Sequence, residues 1–125
     1  MTAATEPTVG IEAIRSAARL LAGVAERTPL VEVPALSSLA GVPVYLKCEQ
    51  LQPIGAFKIR GAYTAVARVA ADGNARGVVT QSSGKHGQAV AYAGRACGLR
   101  AVVVMPESTP RIKVEGVRRH GGEVV

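Results

Sequence analysis

The segment GVVTQSSGKHGQAVAYAGRACGLRAVVVM, residues 77–105, predicts a strand, a helix and a second strand joined by short connections. Residues 77–81 and residues 100–105 are short apolar runs, as is typical of buried strands. Residues 88–97 are apolar on almost every side of a helix, which predicts a buried helix, and Gly98 suits its end. Two strands joined through one helix pair in parallel with a right-handed crossover.

The same alternation continues on both sides of this segment. Downstream, residues 110–120 indicate a helix and residues 121–125 begin a third strand. Upstream, residues 56–70 predict a helix that follows a loop containing proline and glycine, residues 49–55. We therefore predict the α/β class, with a parallel sheet built from β-α-β units.

The first third of the chain predicts looser structure. Thr8 is a candidate cap for a first helix. Residues 27–34 are expected to be extended, because their two prolines do not fit a helix interior, and residues 42–48 alternate as a strand does.

Composition and charge narrow the function classes. The chain has 125 residues, 48% of them hydrophobic, and a net charge of +6. The basic residues are scattered and do not alternate with aromatic residues, so nucleic-acid binding is the weakest of three hypotheses. The longest strongly apolar run, residues 101–105, is far too short to cross a bilayer. Cys48 and Cys97 show no metal-binding spacing and indicate two reduced thiols in a cytoplasmic protein.

A first candidate site is the segment SSGKHG, residues 82–87, between a predicted parallel strand and a predicted helix. Ligands bind at this end of such sheets, and the free N–H groups of a helix N-terminus attract anions. Gly84 and Gly87 allow an anion to approach the backbone closely. The loop therefore predicts an anion site. The alternative is a serine cap on a tight turn, with His86 facing solvent.

A second candidate is Lys58, at the predicted start of a helix beside Phe57 and Ile59. Burial among apolar groups lowers the pKa of a lysine and allows its amine to form a Schiff base with a carbonyl. We predict that Lys58 faces an enclosed hollow opposite the serine loop. The alternative is an ordinary lysine on a helix surface.

In this order and spacing, the two motifs together resemble the fold-type II pyridoxal-phosphate enzymes, whose architecture is similar to that of the tryptophan synthase β subunit. The nearest members are the threonine/serine dehydratases (ammonia-lyases), the serine racemases and the hydroxyaspartate dehydratases. The resemblance runs from about residue 10 to the end. The stretches that carry it are RTPLVEVPALSSLAG (27–41), VYLKCEQLQPIGAFKIRGA (44–62), SSGKHGQAVAYAG (82–94) and VVVMPESTPRIKVEGVRRHGGEVV (102–125).

The resemblance implies the roles of individual residues. Lys58 would hold pyridoxal 5'-phosphate through a Schiff base and then move the Cα proton of the substrate. Phe57 would pack beside the cofactor, and Ser83 would act as acid or base on the opposite face in a racemising enzyme. The loop residues that would bind the substrate carboxylate are Ser82, Ser83, Gly84 and His86.

The sequence departs from the family pattern at two positions and in length. Lys85 stands where the family has an asparagine that donates to the cofactor ring oxygen, and we expect Lys85 to contact the cofactor there. Ala56 replaces a serine found in many members. The family's glycine-rich phosphate loop, the residue facing the pyridine nitrogen and the divalent-cation ligands fall outside this sequence, so no metal site is expected within it.

The resemblance also implies a domain plan and an activity. Residues 1–76 would belong to the large cofactor domain, and residues 77–125 would begin the small domain of a truncated chain. The implied activity is an ammonia-lyase acting on a β-hydroxy amino acid such as threonine or serine, weak or absent in this chain alone. The alternatives are an amino-acid racemase and a non-catalytic interaction module. Expected partners are the small-molecule substrate and either a second copy or a complementing chain, with no nucleic acid and no membrane.

Overall fold

The computed structural model describes residues 9–125, so the proposed cap Thr8 lies outside the described residues. The chain forms five α-helices and five strands within this range. In chain order they are α1 Ile11–Leu20, β1 Leu30–Glu32, α2 Pro34–Ala40, β2 Tyr45–Lys47, a short 3-10 helix Glu49–Leu51, α3 Lys58–Ala71, β3 Gly77–Gln81, α4 Lys85–Ala96, β4 Arg100–Val104, α5 Arg111–Arg119 and β5 Glu123–Val124.

The predicted parallel sheet is confirmed. Its three strands lie in the order β3-β4-β5, and both pairs are parallel. Gly77 is level with Arg100 at one end of the first pair, and Val102 is level with Glu123 in the second. Gly98, with φ of +70°, lies just after α4 and lets the chain turn back into β4. The α/β class predicted from the sequence is therefore confirmed.

The N-terminal part holds a separate antiparallel pair and a helix that the sequence analysis missed. β1 and β2 pair with Leu30 level with Lys47. Between them, α2 begins at Pro34, which occupies the first helical turn where proline has no hydrogen bond to lose. Gly41, with φ of +71°, ends it. Proline at the start and glycine at the end were the available signals for this helix.

α4 begins three residues earlier than predicted, so the expected turn at residues 82–87 is wrong for its second half. The hydroxyl of Ser82 explains the early start. Its Oγ accepts hydrogen bonds from the backbone N–H of Gly84 at 3.2 Å and of Gly87 at 3.0 Å. These two bonds stabilise the first helical turn by pairing amides that a helix otherwise leaves open.

The core lies on both sides of α4, which is buried as predicted. One hydrophobic cluster joins α3 to α4 and the second joins α4 to β4 and α5. The buried members of the first are Ile54, Ile59, Ala62, Val66, Ala89, Val90, Ala93 and Ala101, and those of the second are Ala91, Val103, Met105 and Val117. The first cluster contains side chains from both sides of residue 76, and the division into domains at that residue stays a prediction. None of the helices formed by residues 9–125 has the length and apolar character needed to span a membrane.

Candidate functional site

The loop before α3 is held by a tight glycine turn and two buried side chains. The N–H of Gly55 donates to the carbonyl of Gln52 at 2.7 Å, and Gly55 has φ of +67°, a conformation that favours glycine. Ile54 and Ile59 are only 3% and 0% exposed. The loop therefore enters the helix from a fixed position, and Lys58 is the first helical residue.

Lys58 itself is exposed. Its Nζ lies 5.2 Å from the centroid of the Phe57 ring, within reach of a cation–π contact, and Phe57 is 59% exposed. The prediction that Lys58 faces an enclosed hollow is therefore wrong for this chain. The physical reason is that the neighbouring Ile54 and Ile59 fill the core, which leaves Phe57 and Lys58 on the outer side of the first turn.

An ion pair between Glu49 and Arg60, which was not predicted from the sequence, holds the first turn of α3 against the preceding loop. Nε and Nη2 of Arg60 each lie 2.9 Å from a carboxylate oxygen of Glu49, a bidentate arrangement. The hydroxyl of Thr28, a buried residue, also donates to Glu49, at 2.5 Å. Hydrogen bonding from Arg60 is the largest cause that holds the pKa of Glu49 at about 2, below its ordinary 4.5. The same pairing raises the pKa of Arg60.

Gln52 joins this ion pair to an earlier part of the chain. Its side chain accepts from the backbone N–H of Glu26 and donates to the carbonyl of Glu26, each at 2.9 Å. Its Nε2 also lies 3.2 Å from Glu49. Gln52 is only 4% exposed, so these bonds satisfy a buried amide. The loop that leads to Lys58 is thus fixed at both ends.

The serine loop keeps part of its N–H groups free. The amides of Gly84 and Gly87 are paired with Ser82, and that of Gln88 donates to the carbonyl of Gly84. Within residues 9–125, the backbone amides of Ser83, Lys85 and His86 donate to no acceptor. Open amides at the positive end of a 12-residue helix are a suitable place for a carboxylate. The serine-cap alternative therefore applies to Ser82, while three neighbouring amides stay available.

The remaining loop side chains point in different directions. Ser83 is exposed. Nε2 of His86 lies 3.1 Å from the hydroxyl of Thr80, at the carboxyl end of β3. Nζ of Lys85 donates to the carbonyl of Ile54 at 2.8 Å. The Lys85 side chain therefore brings the serine loop and the lysine loop into direct contact.

Two hollows lie against α3. A groove of about 1100 Å³ lies between α1 and α3, and neither Lys58 nor the serine loop lines it. A smaller hollow of about 250 Å³ lies between α3, β3 and α4, with His86 at its edge. No group of three or more His, Cys, Asp or Glu residues within the described part of the chain is arranged to hold a metal ion.

Comparison with known proteins identifies the family. The family model described as "Pyridoxal-phosphate dependent enzyme" matches residues 21–125. The chain is 47% identical over 102 residues to the L-threonine dehydratase biosynthetic IlvA of Pasteurella multocida, covering 82% of this chain and 20% of that protein. It is 38% identical over 115 residues to the serine racemase of Oryza sativa subsp. indica, covering 92% of this chain and 34% of that protein.

The fold agrees with the sequence relationship. A crystal structure of a pyridoxal 5'-phosphate-dependent aspartate racemase superimposes with a TM-score of 0.90 at 34% identity, over 98% of this chain and 39% of that one. The chain thus spans between about a fifth and two fifths of the length of these relatives. The match of the family model over residues 21–125 shows that the chain belongs to the pyridoxal-phosphate dependent enzyme family.

Proposed function

We propose that Lys58 is the residue through which this chain holds pyridoxal 5'-phosphate. The observation that carries the proposal is an exposed primary amine at a rigid helix start, linked through the Lys85–Ile54 bond to a loop with open amides. No carboxylate of residues 9–125 forms an ion pair with Lys58, so no salt bridge has to break before its amine reacts with an aldehyde. The residues present therefore fit the cofactor, with Phe57 beside it.

The residues of the chain would divide the remaining work. When bound, the cofactor supplies an electron sink for the pair left after removal of the Cα proton. Lys58 would take that proton on one face of the substrate, and Ser83 would serve the other face. The loop formed by Ser82, Ser83, Gly84 and His86 would hold the substrate carboxylate. The open amides of Ser83 and His86 support this role, whereas those of Ser82 and Gly84 already donate to Val104 and to the Ser82 hydroxyl. Lys85 would lie toward the cofactor side of the loop.

The proposed reaction converts a β-hydroxy amino acid such as threonine or serine into a 2-oxo acid and ammonia. The substrate loses its Cα proton and its β-hydroxyl as water, and a water molecule then releases the nitrogen as ammonia. Similarity to an L-threonine dehydratase supports this reaction. Similarity to a serine racemase and an aspartate racemase supports racemisation as the second candidate.

We further propose that activity requires protein surface beyond this chain. The relatives are two and a half to five times longer than the matched portion, and Lys58 is open to solvent here. A complementing chain or a second copy would enclose Lys58, with residues 1–76 joining a large domain and residues 77–125 starting a small one. The free thiols of Cys48 and Cys97 support a cytoplasmic location.

A chimera tests the reaction. The 102 matched residues of this chain replace the corresponding portion of the Pasteurella multocida dehydratase, and the chimera is assayed with L-threonine and L-serine in the presence of pyridoxal phosphate. We expect release of a 2-oxo acid that is abolished by Lys58→Ala and kept in Lys113→Ala, a change at an exposed lysine of α5. D-serine formed from L-serine without a 2-oxo acid would favour the racemase. A folded chimera that binds cofactor and forms neither product would refute both candidates.

A further inference from the structure

We infer that Lys85 is a positioning residue that clamps the loop carrying Phe57 and Lys58 onto the first turn of α4. Its Nζ donates to the carbonyl of Ile54 at 2.8 Å and lies 3.5 Å from Oε1 of Gln88. Ile54 is 3% exposed and Gln88 is 8% exposed. The ammonium group therefore lies between two buried residues, and the carbonyl that it reaches on Ile54 is 31 positions before Lys85 in the chain.

The loop is shaped around this ammonium group. A Cβ atom placed on Gly55 would lie 3.3 Å from Nζ of Lys85, so the backbone of the loop passes very close to the charge. The left-handed conformation of Gly55 turns the carbonyl of the preceding Ile54 to a position where Lys85 reaches it. The loop ends at Lys58, three residues after Gly55, so the position of Gly55 affects the position of Lys58.

The other end of the clamp is also fixed. Gln88 is wedged against α5, where a Cβ atom on Gly116 would lie only 2.5 Å from Nε2 of Gln88. The second acceptor of Lys85 is therefore an amide that packing holds in place. Lys85 in this way connects the lysine loop, α4 and α5, and two of its three donors face protein acceptors.

The consequence concerns the candidate site. What Lys58 does rests on the proposed function, whereas the contacts of Lys85 are properties of the chain itself. If Lys85 holds the loop, its removal loosens residues 53–58 before any cofactor binds, and a donor at this position restores them. Contact with the cofactor alone would leave the cofactor-free loop unchanged.

Amide hydrogen exchange of the cofactor-free chain tests the clamp. We expect Lys85→Met to speed exchange in residues 54–58, above all at the Gly55 amide that donates to the carbonyl of Gln52, by about tenfold, the effect of losing one charge-assisted hydrogen bond. Lys113→Met removes the same atoms and charge from an exposed position on α5 and should leave these residues unchanged. Lys85→Arg keeps a charged donor and should restore the protection. If Lys85→Met does not fold, Lys85→Gln takes its place with a smaller expected increase.

Two results would overturn the inference. One is an exchange rate at the Gly55 amide and its neighbours in residues 54–58 that is the same in Lys85→Met as in Lys113→Met. The other is equal acceleration in β1 and β2, which would show a general loss of stability in place of a local clamp. In that case Lys85→Arg would slow exchange in β1 and β2 as much as in the lysine loop.

Trapping with pyridoxal phosphate and borohydride separates this inference from the proposed function. We expect Lys85→Met to lower the share of adduct on Lys58 relative to Lys47, and Lys85→Arg to recover it. If the wild-type chain shows no preference for Lys58 while exchange responds as expected, the proposed function fails and the clamp stands. A wild-type preference for Lys58 combined with unchanged exchange would overturn the clamp alone.

Discussion

Replacing Glu49 by glutamine should destabilise the chain in a pH-dependent way. A carboxyl whose pKa falls from 4.5 to about 2 on folding stabilises the folded state by up to about 3 kcal/mol when ionised. The side chain of Glu49 is 16% exposed, but that of its partner Arg60 is 39% exposed, so screening by solvent lowers the expected loss to about 2 kcal/mol at pH 7. Glutamine keeps the shape of the side chain and removes the charge.

The sign of the pH effect follows from the lowered pKa. The contribution of Glu49 is complete well above pH 4.5, where the carboxyl is ionised in both states, and it is lost as the pH falls through 4.5 toward 2. The gap between wild type and Glu49→Gln should therefore shrink to roughly half its pH 7 value by pH 3. Urea unfolding followed by circular dichroism at both pH values measures it.

A matched control exists on α5. Glu115 pairs with Arg111 at 2.6 Å, but their side chains are 46% and 91% exposed, so Glu115→Gln should cost less than about 0.5 kcal/mol. If Glu49→Gln costs no more than Glu115→Gln, or if its cost is the same at pH 3 and pH 7, our account of this ion pair is refuted.

Two further predictions concern packing and protonation. Gly94→Ala should cost about 1–3 kcal/mol in urea unfolding, because the new Cβ would lie 2.9 Å from the Ala101 methyl and 3.0 Å from the Leu99 carbonyl. Gly61→Ala in α3, with no atom within 4 Å, should instead stabilise by about 0.5–1 kcal/mol, and a loss would contradict this packing. Burial, and to a smaller extent the nearby charge of Arg119, lower the pKa of His120. The free energy of unfolding should therefore fall as the pH drops below 6.5. If the free energy of unfolding depends on pH in the same way in His120→Asn, the effect is disproved.

The sequence predicted the elements whose signals are local. The strand at residues 77–81 has the predicted bounds, because a short apolar run between turn residues has few other solutions. Gly98 ended α4 as predicted, since a left-handed residue is needed there. The predicted start of α4 was wrong because the true start depends on the hydroxyl of Ser82. This side chain lies two residues before Gly84, the residue at the helix boundary.

The sequence predicted which residues belong to the candidate site. It did not predict the contacts that these residues make. The lysine and serine motifs were found from their spacing, but nothing local in the sequence shows that Lys85 reaches the carbonyl of Ile54. The same holds for Gln52, whose side chain pairs with the backbone of Glu26. The apolar neighbours of Lys58 in the sequence predicted an enclosed side chain, but Lys58 is exposed. Its exposure depends on which surfaces pack around it, and the sequence does not show this.

The most direct test of the central claim maps where pyridoxal phosphate attaches to the chain. The protein is incubated with the cofactor, reduced with borohydride, digested and analysed by mass spectrometry, with Lys58→Arg as the control. The account predicts that the adduct on Lys58 exceeds that on each of the other lysines, which are Lys47, Lys85 and Lys113. Equal labelling of all four lysines in the wild-type chain, with the total amount of adduct falling by only a quarter in Lys58→Arg, would contradict it.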